Sequence, residues 1–172
     1  IGMFFCCPFD AMGSTMATYG GQNVGAKKMD RISKGLKACS MLGIGYAVIA
    51  FGVLALTGRN LALFFVERAE VEVIENVYLF LFINSAFYIP LAFVNIVRFL
   101  IQGMGYSKFA ILAGVCEMVA RTLVGFALVP MFGFPAACFA SPVAWIFADA
   151  FLFPAYRHVY HKTEEMLNVN IQ

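Results

Sequence analysis

Five apolar stretches, each long enough to cross a bilayer, account for most of this 172-residue chain, and the lysines and arginines collect in every second gap between them. A hydrocarbon core about 30 Å thick takes roughly 20 apolar residues of helix. The stretches cover residues 1–24, 35–56, 76–100, 109–129 and 135–156. With 62% hydrophobic residues, 13% charged residues and a mean hydropathy of +0.81, the chain carries more apolar side chain than a soluble core can hide. The expected fold is therefore all-α, a polytopic membrane bundle of five transmembrane helices. It forms one domain over residues 1–160, followed by a tail over residues 161–172. Residues 61–66 are too few to cross and are expected at the membrane interface. The chain opens on Ile1, inside an apolar run, without the basic start or cleavage site of a secretory signal. It is expected to be part of a longer polypeptide with further spans upstream.

Charge in the gaps sets the expected orientation. Residues 26–37 hold Lys27, Lys28, Arg31, Lys34 and Lys37 against Asp30 alone, the short gap after the third stretch ends on Lys108, and the tail holds Arg157 and Lys162. The opposite side has only Arg59 and Arg68, beside Glu67, Glu70, Glu72 and Glu75. Lysine and arginine excess marks the cytoplasmic side. The first stretch is then expected to enter from outside and the C-terminus to end in the cytoplasm. The net charge of +2 is too small to suggest nucleic acid, and the basic gap is expected to meet anionic lipid headgroups instead.

Ionisable groups inside spans are costly and are the first place to look for function. Glu117 and Arg121 stand four residues apart on one face of the fourth span and can pair within it. They either orient that helix or stand near a substrate or ion pathway. Asp149 lies in the fifth span after an expected break at Ser141 and Pro142, and either accepts a proton in a cavity or reaches the interface. Arg98, near the cytoplasmic end of the third span, can snorkel to the surface. Asp10 is expected as an outer-interface cap. Gln22 and Asn23 on the first span, and Asn84 and Asn95 flanking Pro90 on the third, serve either helix packing or a pathway.

Other chemistries have little support. The five cysteines lie in or beside spans and show no metal-binding spacing, and His158 and His161 have no third ligand nearby. There is no phosphate-cradling loop of the Walker type. Neither a cofactor nor a metal is expected.

Two motifs carry a family resemblance. The first runs Ala17-Thr18-Tyr19-Gly20-Gly21-Gln22-Asn23-Val24-Gly25-Ala26 and continues into Lys27, Lys28, Asp30 and Arg31; the second is Ile101-Gln102-Gly103-Met104-Gly105-Tyr106-Ser107. In order and spacing they resemble the second half of the multidrug and toxic compound extrusion (MATE) transporters, over residues 1 to about 160. The resemblance implies the last five of twelve helices, five members of a six-helix lobe that works with an N-terminal lobe of the same polypeptide. It implies a plasma-membrane transporter that exports organic cations or drug-like compounds in exchange for Na⁺ or H⁺, by alternating access between the lobes. Gln22, Asn23, Asn84, Asn95, Glu117, Arg121 and Asp149 are the candidates for pathway or gate. Some family members place a carboxylate on the helix matching the third span, where this chain has Asn84 and Asn95. The rival readings are a lipid-linked oligosaccharide flippase of the same superfamily, an intramembrane enzyme using Asp10, Asp149 or Glu117, and a non-catalytic fragment.

Overall fold

The structure is a computed structural model that describes residues 1–64 and 70–169. Among these residues it is all helix, without a strand. The order is α1 (Gly2–Gly25), α2 (Met29–Ala62), α3 (Val71–Ala86), α4 (Tyr88–Gly103), α5 (Ser107–Leu123), a π-helical turn (Val124–Leu128), α6 (Val129–Phe132) and α7 (Phe134–Val169). By length and composition α2, the α5–α6 run and α7 can each cross a membrane, and the bent α3–α4 pair makes a fourth candidate span. Helix α1 has the length, but Ser14, Thr15, Thr18, Gln22 and Asn23 dilute its apolar character. Of the segment expected at the interface, Leu61 and Ala62 finish α2, Leu63 and Phe64 form a turn, and residues 65 and 66 lie outside the described residues.

Helix α1 lies along α4 at very short range. Position Gly13 faces the Asn95 carbonyl and the Phe99 ring, Gly20 faces Leu100 and Met104, and Gly21 faces the Gly103 carbonyl. Contacts that climb both helices in the same direction mean that the two run parallel. A Cβ on Gly103 would overlap the Ala17 backbone. The two sequence motifs, about 80 residues apart, therefore meet at one end of the bundle. In lipid, where apolar side chains gain nothing by leaving the solvent, close van der Waals packing of this kind is a main source of helix association.

The helix breaks follow from proline. Pro90 has no N–H for the carbonyl four residues earlier. The helix stops at Phe87 and resumes at a 54° bend. Ahead of Pro130 the chain widens into a π turn, where the Val129 N–H reaches back to the Val124 carbonyl. Such local widening is how membrane helices re-satisfy backbone groups near a proline. The break expected at Ser141 and Pro142 is absent, because α7 runs through both Pro142 and Pro154. Pro142 frees the carbonyl of Cys138, and the Asn84 side-chain amide donates to that oxygen from α3 at 3.4 Å. Helix α7 also continues past residue 160, so the described part of the expected tail is helical.

The core is the space between α1, α2, α4 and α7. Phe9 is fully buried and meets Tyr46 and Tyr88 edge-on, at 5.1 Å and 5.6 Å between ring centroids. Tyr46 also donates to the Phe5 carbonyl, tying α2 to α1.

Gly103→Ala is expected to lower the thermal stability of the full-length protein by about 1–3 kcal/mol, the usual cost of overpacking. Gly52→Ala, where a methyl meets nothing, should leave it unchanged. Asn84→Leu should cost about 1–3 kcal/mol by leaving the Cys138 carbonyl without a donor. Melting curves in lipid nanodiscs check all three.

Candidate functional site

Three charged side chains meet inside the helical region. Glu117 sits on α5 with its side chain 15% exposed. Arg98 on α4 donates to its Oε1 at 3.1 Å, and Arg121, one turn further along α5, donates to its Oε2 at 3.4 Å. Both carboxylate oxygens are thus engaged, each by a different guanidinium.

The geometry of the α4–α5 hairpin explains the meeting. At 1.5 Å per residue, Arg98 lies about 7 Å before the end of α4 and Glu117 about 15 Å beyond the start of α5. The arginine must extend away from the turn, deeper along the bundle, to reach its partner. Gly114 leaves room for it, since a Cβ there would stand 3.1 Å from the guanidinium. The expectation that Arg98 snorkels to the surface is therefore corrected. An unpaired carboxylate at Glu117 would cost more than turning the arginine inward.

Asp149 stands on α7, which packs along α5. It is 8% exposed, and its Oδ1 is buried without a hydrogen-bond partner. It lies within electrostatic range of Glu117. Its neighbours on the same helix, Ala148 and Leu152, are fully buried. Asp149 thus points into protein and does not reach outward to the interface.

The other expected residues do not converge on this cluster. Asn23 is buried where α1 ends; its side-chain amide donates to the Tyr19 carbonyl and its own carbonyl accepts from the Lys28 N–H. Gln22 is exposed, and its carbonyl takes the Ala26 N–H. These two build the turn into α2. Asn84 also donates to the Phe80 carbonyl at 2.9 Å, so its amide is spent on the α3 backbone and on α7. Asn95 is half-buried on α4, where its backbone carbonyl faces Gly13. Asp10 is exposed. Sequence reading missed Arg98 as the partner of Glu117. The available signal was two opposite charges on helices joined by one short turn.

At the other end of α2, Arg59 pairs with Glu75 at 2.8 Å and lies over the Tyr78 ring. Both partners are well exposed, so the pair fastens α2 to α3 only weakly.

A family model for MatE matches residues 1–127. The chain belongs to the MATE family. No curated protein matches it at a significant level. Among solved structures it is similar to one described as the inward-facing conformation of a multidrug resistance MATE family transporter of the MOP superfamily, with a TM-score of 0.71 and 15% identity. The match covers 89% of this chain and 35% of that one. At that identity the likeness speaks for the fold alone, and this chain spans about a third of the transporter's length. The protein is an integral membrane helix bundle of the MATE type. Members of the MATE family are transporters, not enzymes. The matched region includes the Arg98, Glu117 and Arg121 cluster and ends before Asp149.

Replacing Arg98 by Met should destabilise the protein by about 1–3 kcal/mol, because Glu117 loses its closer partner in a poorly solvated position. Adding Glu117→Leu should recover part of that loss, since a neutral apolar pair needs no compensation. A double-mutant cycle on unfolding measures the coupling; strict additivity would show that the contact contributes nothing.

Proposed function

We propose that this chain is most of the C-terminal lobe of a secondary transporter that exports organic cations or drug-like compounds across the plasma membrane. Transport would be by antiport with Na⁺ or H⁺ and by alternating access against an N-terminal lobe of the same polypeptide. Membership of the MATE family carries this reading. In it the bundle has five spans, the basic turn between α1 and α2 faces the cytoplasm, and the C-terminus lies on the same side.

Coupling falls to the α5–α7 carboxylates. Glu117 has both carboxylate oxygens engaged by arginines, which suits it to holding α4 and α5 together. Asp149 has an oxygen with no donor, buried among apolar neighbours. A group placed this way can take up and release a proton as alternating access brings water to it and removes it. One free carboxylate oxygen suits a proton better than Na⁺, which needs several oxygen ligands, so the donor set favours H⁺. Gln22, Asn23 and Asn84 belong to the scaffold in this scheme, and Asn95 stands along the α1–α4 seam.

The test is efflux of a fluorescent organic cation from cells expressing the full-length protein. A protonophore should abolish efflux, and removal of Na⁺ should leave it intact. Asp149→Asn should lower the initial rate by about a hundredfold or more, the range expected for loss of a proton-transfer group, and Asp149→Glu should retain most of it. Efflux that persists after both gradients are collapsed would overturn antiport. Unaltered efflux in Asp149→Asn would remove that residue from coupling.

A further inference from the structure

The turn between α1 and α2 and the end of α7 enclose a polar recess of about 470 Å³. Lys27, Lys28, Arg31 and Lys34 line it, with Asp30 and Glu164 as the acidic members. Among the described residues, no carboxylate comes within 4.0 Å of any of those four cations; the ion pairs that these residues form lie elsewhere, and Glu164 approaches His161 instead. Four cations thus face two carboxylates across one small space, which leaves the recess with a positive excess.

The backbone holds them there. Helix α1 closes with the Lys28 N–H bonded to the Asn23 carbonyl and the Lys27 N–H bonded to the Val24 carbonyl. This is the Schellman pattern, whose left-handed position is usually glycine. Here that position is Lys27, at φ 56°. A lysine is strained in this conformation and a glycine would not be. The turn is fixed further by the Tyr19 hydroxyl, which donates to the Arg31 carbonyl at 3.0 Å, and by buried Met29 and Ile32. The cations are therefore presented by an ordered turn, and one of them occupies a site where the fold alone would favour its absence.

The height of the recess fits a lipid. Lys34 and Arg31 stand one and four residues outside the second apolar stretch. That is about 2–6 Å beyond the hydrocarbon, which is headgroup depth. Lysine ammonium groups act on phosphate as point charges, and an arginine can grip two of its oxygens.

We propose that this recess binds the phosphate of an anionic lipid headgroup, held by the cations of the α1–α2 turn. The proposal rests on the chain being embedded in a membrane and not on what it transports. Its readout is binding, so its failure leaves the efflux experiment untouched and the reverse also holds.

The experiment uses the full-length protein in phosphatidylcholine nanodiscs containing increasing phosphatidylglycerol, with retained lipid counted by native mass spectrometry. The unaltered protein should keep phosphatidylglycerol in preference to phosphatidylcholine. Lys27→Gly should weaken that retention about fivefold, the worth of one basic residue at an anionic surface, while its melting temperature stays the same or rises. Arg31→Gln with Lys34→Gln should weaken it about 25-fold on the same basis, and Lys108→Gln, a cation outside the recess, should not change it. Equal retention by all of these proteins would overturn the site. Displacement of the lipid by inorganic phosphate at comparable concentration would also overturn the assignment, by showing that the recess serves a soluble phosphate compound.

Discussion

The contact between the backbones of α1 and α4 is the constraint on which the rest of this bundle depends. Ala17 and Gly103 touch without a side chain between them. That single approach sets where three other things can be. It fixes the end of α1, and with it the basic turn. It fixes the end of α4, and with it the depth from which Arg98 reaches Glu117. It also places the two glycine-bearing motifs side by side, so that residues remote in sequence form one structural knot. Neither helix could shift along the other without pressing Leu100 or Phe99 into Gly20 or Gly13.

Around that seam, among the described residues, one buried side-chain polar atom has no hydrogen-bond partner. The π turn before Pro130 recovers a backbone bond, Asn84 covers the carbonyl that Pro142 leaves open, and Arg98 and Arg121 share Glu117. The atom without a partner is the Oδ1 of Asp149. A buried acceptor left without a donor is expensive, and more so when it is charged. Glu117 has both oxygens engaged by arginines, whereas no hydrogen bond reaches the buried Oδ1 of Asp149.

Much of this was legible in the amino-acid sequence. The apolar lengths marked the helices, the glycines in both motifs marked close approach, and the spacing of Glu117 and Arg121 marked a pair on one face. What could not be read was anything that depends on which helix lies beside which. Arg98 looked like a surface residue because its own helix was ending; its partner lay on the next helix, nearer the middle. Pro142 looked like a break because the donor that repairs it sits on α3. Asn84 fitted packing or a pathway equally well, because the carbonyl it serves lies 54 residues further along. Apolar residues surround these helices on lipid-facing and protein-facing sides alike, as exposed Leu42, Ile49, Ile111 and Val115 show, so periodicity carried no information about neighbours.

The bond from Asn84 to Cys138 has a consequence for the birth of the protein. Its two ends are separated by 54 residues, and the donor is made first. Chains emerge from the ribosome N-terminus first. When α7 enters the bilayer with an open carbonyl at Cys138, the amide that satisfies it is already waiting in α3. Reversing the order of synthesis, as a circular permutation would, sends that carbonyl into lipid with nothing to meet it.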